Sequence, residues 1–290
     1  MRAVVNPVAG GRRGMQQWKQ ARPILTEAGW EIRESHSERR GHARQLTAAS
    51  PEDVVLAVGG DGTANEVANG LLGARRHGIM ALLPVGTAND FARALGIPRD
   101  PVAAARILVT ARPRPIDVGE VNGHYFLTIA GVGFDGEVAR QVNAWPKLMN
   151  GTVMYAIGIL KTLGTYRPVE VELSLDGSSS RERIFLVAAA NTAWNAGGMH
   201  LAPGARPDDG LLHTLIAGPL GRLETLFVLP KVFSGRHLGH PKVRLVEARE
   251  VVVSGPTPLF IQADGEPVGT LPARFCVHPK ALLVLAPPAP

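Results

Sequence analysis

The sequence predicts two consecutive domains: an α/β domain with a mostly parallel sheet, and then a β-rich domain built as an antiparallel sandwich. In the first 120 residues, short apolar runs alternate with segments whose apolar residues recur at helical spacing. This alternation is typical of parallel strands that are covered by helices on both faces. Beyond that point, eight short apolar runs are separated by turn-forming residues, which is typical of an antiparallel sandwich or barrel.

The first domain is expected to cover residues 1–120. One helix is predicted around residues 15–25, where Pro23 should bend it, and another around residues 67–71. The predicted strands of this domain are residues 4–5, 31–32, 54–58, 79–83 and 116–118.

The second domain is expected to cover residues 121–280, with a boundary near residues 117–122. Two helices are predicted in it, around residues 152–163 and 223–232. The remaining residues, 281–290, form a terminal segment that is expected to pack back on one domain or the other. The predicted strands are residues 125–132, 169–175, 184–190, 211–217, 243–246, 251–254, 259–263 and 275–277.

Composition is typical of a globular chain. Hydrophobic residues make up 45% of the 290 residues and charged residues 19%, so the chain can bury a sizeable core. The apolar runs are much shorter than the roughly 18 residues that span a bilayer, and no signal-peptide pattern opens the sequence. A single cysteine cannot form an internal disulfide framework. We therefore expect a cytoplasmic protein without a membrane-spanning segment.

The chain is basic, with 31 Lys and Arg against 25 Asp and Glu and a formal net charge of +6. Such a surplus favours anionic partners, including nucleotides and acidic lipid surfaces. The arginines are scattered, however, and lack the interleaved aromatic residues of a single-strand binder. We therefore expect no nucleic-acid partner and interpret most basic residues as solvated.

The most informative segment is residues 59–66, Gly-Gly-Asp-Gly-Thr-Ala-Asn-Glu, between a predicted strand and a predicted helix. Thr63 and Glu66 have the spacing of a capping box, which predicts that the helix begins there. Glycines let the backbone approach a ligand, and a helix N-terminus binds phosphate. Asp61 would repel a phosphate unless a cation lay between them, which points to a metal–nucleotide complex. Taken alone, the segment also fits a tight turn.

A second segment repeats this arrangement at residues 83–92, Leu-Pro-Val-Gly-Thr-Ala-Asn-Asp-Phe-Ala, and a third follows the first strand at residues 6–11. Open α/β sheets bind ligands at the carboxyl ends of their strands, where all three segments would lie. The fit to a Rossmann fingerprint is poor, because Asn65 stands where the third glycine should be. No P-loop sequence occurs in the chain.

Seven motifs in order make the chain resemble the bacterial lipid kinases related to diacylglycerol kinases and sphingosine kinases. The resemblance implies a nucleotide-binding domain of the NAD kinase and diacylglycerol kinase type, then a lipid-binding β-sandwich, with the active site between them. The motifs are Asn-Pro-x-x-Gly at 6–10, Gly-Gly-Asp-Gly-Thr at 59–63, Gly-Thr-Ala-Asn-Asp-Phe-Ala at 86–92, Ile-Asp-Val-Gly at 116–119, Gly-Val-Gly-Phe-Asp at 131–135, Asp-Asp-Gly-Leu at 208–211 and Asp-Gly-Glu-Pro at 264–267.

The same resemblance implies the ligands of each residue group. Asp61, Asp90 and Asp117 would organise a magnesium–water network around the phosphates of ATP. Asp209, with the backbone oxygens of Arg206 and Leu211, would hold a separate structural Mg²⁺. The residues that would bind ATP are Asn6, Ser37, Gly59, Gly60, Asp61, Gly62, Thr63, Asn65, Glu66, Gly86, Thr87 and Asn89.

The resemblance also implies that Glu266 and Asp264 act in catalysis, with Glu266 as the general base that deprotonates a lipid hydroxyl. From the residues alone, an Asp-Gly tip is equally consistent with a plain surface hairpin. The expected acceptor is diacylglycerol, which would give phosphatidic acid; a sphingoid, a monoacylglycerol and phosphatidylglycerol stay open. The protein would contact the membrane peripherally to reach its lipid, and a homodimer stays open.

Two other functions remain as alternatives. An NAD kinase shares the Gly-Gly-Asp-Gly element but not the second glycine segment or the Asp-Gly-Glu-Pro turn. A catalytically silent lipid- or nucleotide-binding regulator would be expected to lose its acidic residues, which are all present here. The nine histidines form no metal-binding motif, and Cys276, in an apolar strand, is interpreted as an inert buried thiol.

Overall fold

The computed structural model describes residues 1–74, 78–145, 151–255 and 257–288. The chain divides into two compact units. Unit 1 contains Met1–Asp117 together with the chain from Lys280 onwards, and unit 2 contains Val118–Pro279. The terminal segment expected at 281–290 therefore groups with unit 1, except that residues 289 and 290 lie outside the described part.

Helices and strands are numbered here in chain order. The helices are α1 Gly14–Glu27, α2 His42–Ala48, α3 Asp61–Gly73, α4 Asp90–Ala94, α5 Pro101–Thr110, α6 Phe134–Asn143, α7 Gly151–Thr165 and α8 Arg222–Val232. The strands are β1 Arg2–Val5, β2 Arg33–His36, β3 Val54–Gly59, β4 Ile79–Pro84, β5 Arg112–Val121, β6 His124–Phe126, β7 Ile129–Gly133, β8 Val169–Leu175, β9 Ser178–Ile184, β10 Leu186–Ala190, β11 Trp194–Asn195, β12 Met199–His200, β13 Leu212–Ala217, β14 Val243–Ala248, β15 Glu250–Ser254, β16 Phe260–Ala263, β17 Glu266–Thr270 and β18 Ala273–Ala286.

Unit 1 is the predicted α/β domain. Its strands lie in the order β2-β1-β3-β4, all parallel, and the final part of β18 adds to β4 in parallel through Leu283 and Val284. In β3 and β4 all residues but the first are buried, which explains why these strands are continuous apolar runs in the sequence. The largest buried side chains of this core include Trp18, Phe91 and Leu108.

Unit 2 is an antiparallel sandwich, as predicted. One sheet has the order β14-β13-β10-β7-β16-β17, and the first part of β18 lies beside β15, β8 and β9 in the other. A core of buried apolar residues from both sheets, such as Val187 and Phe275, fills the space between them. A second core, which includes Phe134, Ile159 and Leu215, lies between the first sheet and helices α6 and α7.

Several element boundaries differ from the sequence predictions. The second strand lies at Arg33–His36 rather than 31–32, because it is a mostly exposed edge strand and carries no apolar signal. The run at 125–132 is broken into β6 and β7 around Leu127 and Thr128. Residues 275–277 and the terminal apolar run belong to one long strand, β18, which continues through Pro279. The polar strand β9 was missed for the same reason as the second strand.

Within the described ranges, no helix has both the length and the apolar character that crossing a bilayer requires.

Candidate functional site

Three loops of unit 1 follow neighbouring parallel strands at the same edge of the sheet. Strand β1 pairs with β3, placing Val5 opposite Val58, and β3 pairs with β4, placing Gly59 opposite Pro84. The loops that begin at Asn6, Gly60 and Val85 therefore start side by side. We call these loops the glycine rim. Its position at the carboxyl edge of an α/β sheet is the one that such folds use for ligands.

Two glycines of the rim bring loop backbones into direct contact. A Cβ atom on Gly86 would lie 2.3 Å from the Cα atom of Gly60, so a side chain there has no room. Asn89 holds this geometry: its side chain accepts a hydrogen bond from Gly86 N (3.1 Å) and donates one to Gly86 O (2.9 Å). Asn89 itself adopts a left-handed conformation (φ 54°), which Asn tolerates better than most residues. The immediate role of Gly60 and Gly86 is therefore to let the two loops pack against each other.

The capping box predicted for Thr63 and Glu66 is wrong. Helix α3 begins at Asp61, and its N-cap residue is Gly60, which has no side chain to cap the helix. Thr63 Oγ1 instead accepts a hydrogen bond from Asn6 Nδ2 (3.1 Å), which joins the first loop to the second. The Glu66 carboxylate accepts hydrogen bonds from Gly41 N (2.8 Å) and from Ala43 N (2.9 Å) at the start of α2. Both side chains therefore connect neighbouring segments of unit 1.

The predicted magnesium carboxylates of unit 1 are partly or fully buried. Asp90 and Asp117 are 3% and 1% exposed, and Asp61 Oδ1 accepts a hydrogen bond from Phe91 N (2.9 Å). Asp117 Oδ1 accepts one from Lys280 N (2.8 Å). Among the described residues, these three carboxylates do not place their oxygens within 4.8 Å of one another. Mg²⁺ retains several of its waters in proteins. Three carboxylates arranged in this way therefore fit binding through water molecules better than direct coordination of one ion by all three.

The other predicted nucleotide-binding side chains have less constrained positions. Ser37 follows β2 and donates its backbone N–H to Val5 O (2.9 Å), while Thr87 is exposed on the rim. Asn65, in the first turns of α3, accepts a hydrogen bond from Asn69 Nδ2 through its side-chain oxygen (3.1 Å). The structure places all three in unit 1.

The Asp-Gly-Glu sequence forms the hairpin that the sequence predicts. Asp264 and Gly265 connect β16 to β17 with φ values of 47° and 82°, and Ala263 pairs with Glu266. Positive φ at both central residues is the pattern of a type I′ turn. Gly265 is held on both sides, because its N–H donates to Gln262 Oε1 (2.8 Å) and its oxygen accepts from Asn143 Nδ2 (2.9 Å). The turn places Glu266 at the start of β17.

Asp264 joins this hairpin to a distant part of unit 2. Its Oδ2 atom accepts a hydrogen bond from Leu127 N (2.7 Å), and its Oδ1 atom accepts from Thr128 N, Thr128 Oγ1 and Ile129 N (2.9, 2.5 and 3.2 Å). Hydrogen bonds to an ionised carboxylate are stronger than those between neutral groups. This set explains why the apolar run at 125–132 is interrupted. The catalytic role expected for Asp264 stays a prediction, and its contacts identify it as the residue that positions the hairpin.

Asp135 is a partly buried carboxylate that lines the apolar side of unit 2 and lies within the Gly-Val-Gly-Phe-Asp motif. Burial raises the pKa of Asp135 to about 6, although hydrogen bonds from Gln262 and from Gly136 N oppose the rise. Close contacts explain why two positions beside Asp135 are glycines. A Cβ atom on Gly131 would lie 2.0 Å from Asp135 Oδ2, and one on Gly136 would lie 1.9 Å from Phe260 O. The spacing of glycines and aspartate at 131–136 was the signal that could have identified it.

The predicted structural magnesium site contains a residue that sequence reasoning missed. Asp209 Oδ1 accepts a hydrogen bond from Leu211 N (3.0 Å), and Asp209 Oδ2 lies 2.9 Å from Nε2 of the buried His213. The Arg206 side chain pairs with Asp208 (3.1 Å), which leaves only the backbone oxygen for the predicted role. Each Asp209 oxygen retains a second lone pair, so the residues present fit a cation held with backbone oxygens. No spacing in the sequence pointed to His213.

Unit 2 contains an apolar cavity of about 100 Å³. Its walls come from β10 and β13, from Phe134 and Ile159, and from one face of α8 through Val228, Leu229 and Val232. A few polar groups also face it, among them Asp135, Asn195 and His237. An apolar enclosure with a small number of polar groups is the usual form of a site for a largely hydrophobic ligand.

The chain matches two family models that together cover most of its length. Residues 1–121 match the model described as "Diacylglycerol kinase catalytic domain", and residues 128–286 match "YegS C-terminal NAD kinase beta sandwich-like domain". The two matched ranges follow the succession of an α/β domain and a β-sandwich.

Relatives of the chain are similar over nearly their whole length. A diacylglycerol kinase of Bacillus subtilis (strain 168) is 34% identical over 278 residues, 94% of this chain and 92% of that protein. A diacylglycerol kinase of Staphylococcus aureus (strain bovine RF122 / ET3-1) is 31% identical over 289 residues, 99% and 92% of the two chains. A crystal structure of a protein proposed to be a diacylglycerol kinase, from Bacillus anthracis str. Sterne, aligns with a TM-score of 0.82 at 26% identity, covering 99% of this chain and 95% of that one.

Proposed function

The chain belongs to the diacylglycerol kinase family and is a lipid kinase, a phosphotransferase with an alcohol group as acceptor; on this premise, we propose that it transfers the γ-phosphate of ATP to diacylglycerol, giving phosphatidic acid and ADP. The observation that carries the proposal is the family match over both units in a chain that retains Asp61, Asp90, Asp117 and Glu266. A catalytically silent regulator would have no reason to keep them.

The glycine rim is the proposed site for ATP. Its three loops begin at one edge of a parallel sheet, and helix α3 directs its N-terminus towards that edge from Gly60 onwards. Free N–H groups at a helix start favour phosphate oxygens. The loops are also held rigidly, through Asn89 on Gly86 and through Asn6 on Thr63. A preformed site of this kind loses little entropy when it binds a nucleotide.

Mg²⁺ is proposed to accompany the nucleotide, with Asp61, Asp90 and Asp117 as the residues that would hold it through water. When bound, this ion supplies neutralisation of the negative charge on the phosphates. Asp209 and the backbone oxygens of Arg206 and Leu211 are proposed to hold a second, structural Mg²⁺. Support comes from the hard-oxygen chemistry of both sets of ligands, which Mg²⁺ prefers.

Glu266 is the proposed general base. Its carboxylate would take the proton of the lipid hydroxyl while that oxygen bonds to the γ-phosphorus and the bond from phosphorus to ADP breaks. Asp264 is proposed to act through Glu266, because it holds the hairpin against Leu127 and Thr128. Gly265, whose N–H and oxygen are both bonded, keeps the turn in one conformation.

The apolar cavity of unit 2 is the proposed site for an acyl chain. Its lining is almost wholly aliphatic and aromatic, and burial of each CH₂ group contributes about 0.8 kcal/mol to binding. The polar groups that face the cavity, including Asp135 and His237, offer hydrogen bonds to an ester or hydroxyl group of the lipid.

A membrane-facing surface is proposed on the two helices that line this cavity. Helix α8 exposes Leu223, Leu226 and Phe227, with Phe233 directly after it; Leu223 and Phe227 are 72% and 74% exposed. Helix α7 exposes Val153, Ile157 and Leu160, which share one helical face. Both helices also bury apolar residues on their inner sides, so they are apolar on two faces. Such helices suit a position between a protein core and lipid.

Charge complementarity favours an anionic bilayer as the partner of this surface. Arg222, Lys231 and Arg236 are exposed around the apolar residues of α8. Each basic residue close to an anionic membrane contributes about 1 kcal/mol. The arrangement is a helix that lies in the interface and whose inner face, through Val228 and Val232, lines the acyl cavity.

Transfer of label from γ-labelled ATP to purified lipids tests the function. We expect label in phosphatidic acid when diacylglycerol is present, and a loss of about 10²- to 10⁴-fold in turnover for Glu266→Gln with ATP binding retained. Asp61→Asn should raise the Mg²⁺ concentration that half-maximal activity requires, because one carboxylate that would hold the ion is lost. Monoacylglycerol, sphingosine and phosphatidylglycerol are tested in parallel, with NAD as the acceptor that distinguishes the NAD kinase alternative. Label in NADP, or none in any acceptor, would refute the proposal.

Vesicle flotation tests the membrane surface. The double variant Leu223→Gln, Phe227→Gln should bind vesicles of phosphatidylglycerol and phosphatidylcholine about tenfold less than the unchanged protein, because two exposed apolar side chains are lost. Its activity on a dispersed short-chain diacylglycerol should be unchanged. Val109→Gln, which replaces an exposed apolar residue on α5 with the same polar residue, is the matched control and should bind normally. Equal vesicle binding by all three proteins would exclude this surface.

A further inference from the structure

Three side chains of different ligand chemistry lie together on one surface of unit 2. Cys276 and His278 are two residues apart on β18 and therefore point to the same face of the strand, and Glu120 lies on β5, which pairs with β18. Ala273 and Phe275, of opposite parity, are buried in the sandwich core. The expectation of a buried thiol at Cys276 is wrong, because the residue is on the outward face and partly exposed.

The three ligand atoms converge on one point. Cys276 Sγ lies 3.7 Å from His278 Nε2, and His278 Nε2 lies 2.7 Å from Glu120 Oε2. One potential ligand atom from each residue lies within 4.8 Å of the other two. Among the described residues, no other three side chains of His, Cys, Asp or Glu come together in this way.

These distances are close to those of a tetrahedral metal site. With Zn–S near 2.3 Å and Zn–N near 2.0 Å, the sulfur and nitrogen of two ligands are separated by about 3.5 Å, against 3.7 Å here. The nitrogen–oxygen separation would be about 3.3 Å, so the Glu120 carboxylate would move by about 0.6 Å from its present hydrogen bond. Half-exposed side chains make such a movement without disturbing the core.

We propose that Cys276, His278 and Glu120 bind a Zn²⁺ ion, with the fourth coordination position left to water. A thiolate and an imidazole favour Zn²⁺ over Mg²⁺, which prefers oxygen ligands and octahedral geometry. The complex is electrically neutral, because the thiolate and the carboxylate balance the charge of the ion. The ring of Tyr125, edge-on to His278 with centroids 5.7 Å apart, helps to fix the imidazole. The site is independent of the proposed kinase function.

Binding exchanges a proton for the metal. In the free protein, partial burial and the negative charge of Glu120 raise the pKa of the Cys276 thiol. Zn²⁺ forms a bond to sulfur as the thiol proton leaves for solvent, so the ion removes the repulsion between the two negative groups. Zn²⁺ binds His278 Nε2 once the hydrogen that this atom donates to Glu120 has left it, and the neutral ring then carries its proton on Nδ1. Arg274 does not compete for Glu120, since its guanidinium pairs with Glu250 (2.7 Å).

Thiol reactivity tests the site directly, because Cys276 is the single cysteine of the chain. Full-length protein without nucleotide is titrated with zinc sulfate in excess Mg²⁺, which occupies oxygen-only sites, and the thiol is followed with Ellman's reagent. One equivalent of Zn²⁺ should slow the reaction about tenfold or more. Co²⁺ should give a sulfur-to-metal charge-transfer band in the near ultraviolet. Glu120→Gln and His278→Gln should each weaken zinc binding by more than the roughly tenfold that changes outside the ligand shell already cause.

Variants of matched type decide the outcome. Cys276→Ser should lose the cobalt band and the tight zinc binding, whereas His124→Gln, a change of an exposed histidine on neighbouring β6, should retain both. Unchanged thiol reactivity in the presence of zinc would overturn the proposal. Tight zinc binding that persists in Cys276→Ser would overturn it as well, since the metal would then be held by other residues.

Discussion

The glycine rim of unit 1 and the Asp-Gly hairpin of unit 2 carry the two halves of the proposed chemistry, and they are held in shape in different ways. In the rim, Gly60 and Gly86 meet backbone against backbone, so the structure depends on the absence of side chains. In the hairpin, one carboxylate, that of Asp264, accepts hydrogen bonds from three backbone N–H groups and a hydroxyl. A steric requirement tolerates no larger residue, whereas an electrostatic one tolerates partial replacement.

Gly86→Ala should therefore have the largest effect on stability. A methyl group 2.3 Å from the Gly60 Cα atom forces the two loops apart, and we expect a loss of at least about 4 kcal/mol in the free energy of unfolding. Urea denaturation followed by tryptophan fluorescence measures this, since Trp18 is buried in unit 1.

Gly62→Ala is the control within the same segment. A Cβ atom there would have no neighbour within 4 Å, and Gly62 lies in helix α3, so alanine should leave the stability unchanged or raise it by up to about 1 kcal/mol. Equal losses in the two variants would show that the rim is sensitive to any change and that the close approach of Gly60 and Gly86 is not the cause.

Asp264→Asn should have the next largest effect, a loss of about 3 kcal/mol. The amide oxygen can still accept hydrogen bonds, but the NH₂ group then faces backbone N–H donors at Leu127 or Thr128. Glu266→Gln makes the same chemical change two residues away and should leave the free energy of unfolding within about 0.5 kcal/mol. Denaturation of both proteins measures the difference, and similar stabilities would contradict the positioning role of Asp264.

The contrast also explains how far the sequence could predict this molecule. Each loop of the rim directly follows the apolar strand that positions it, so short motifs located it and the parallel sheet together. The partners of Asp264 lie 137 and 136 residues away at Leu127 and Thr128, and no local pattern encodes such pairs. The capping-box prediction failed for a related reason, because Glu66 bonds to Gly41 and Ala43, from a segment that precedes it by more than 20 residues.

A third prediction concerns the partly buried carboxylate of Asp135 in unit 2. Burial raises the pKa of Asp135 from 3.8 to about 6, so the folded state binds its proton more tightly than the unfolded state. The contribution of this group to stability is therefore greatest below the unfolded pKa and is lost as the pH rises towards the folded pKa. From about pH 4.5 to about pH 7.5, the unchanged protein should lose about 2 kcal/mol relative to Asp135→Asn.

Urea denaturation of both proteins at the two pH values measures that double difference, in which the other titrating groups cancel. Gln262→Glu, which places a second carboxyl group beside Asp135 Oδ2, should enlarge the pH dependence. A pH-independent difference between the unchanged protein and Asp135→Asn would show that Asp135 is ionised in the folded state like an exposed carboxylate.

The smallest expected effect lies away from both regions and gives the scale for a single ordinary hydrogen bond. Asp100 caps helix α5 by accepting a hydrogen bond from Ala103 N (2.7 Å), and Pro101 follows at the first helical position. Asp100→Ala should lower the free energy of unfolding by about 1 kcal/mol, whereas Asp100→Ser, which keeps an acceptor, should lose less than half of that. Lipid kinase activity should be unchanged in both variants, because Asp100 belongs to neither the rim nor the hairpin. A loss as large as that of Asp264→Asn would contradict the comparison. It would show that neither the number of hydrogen bonds nor the connection of distant segments distinguishes Asp264 from Asp100.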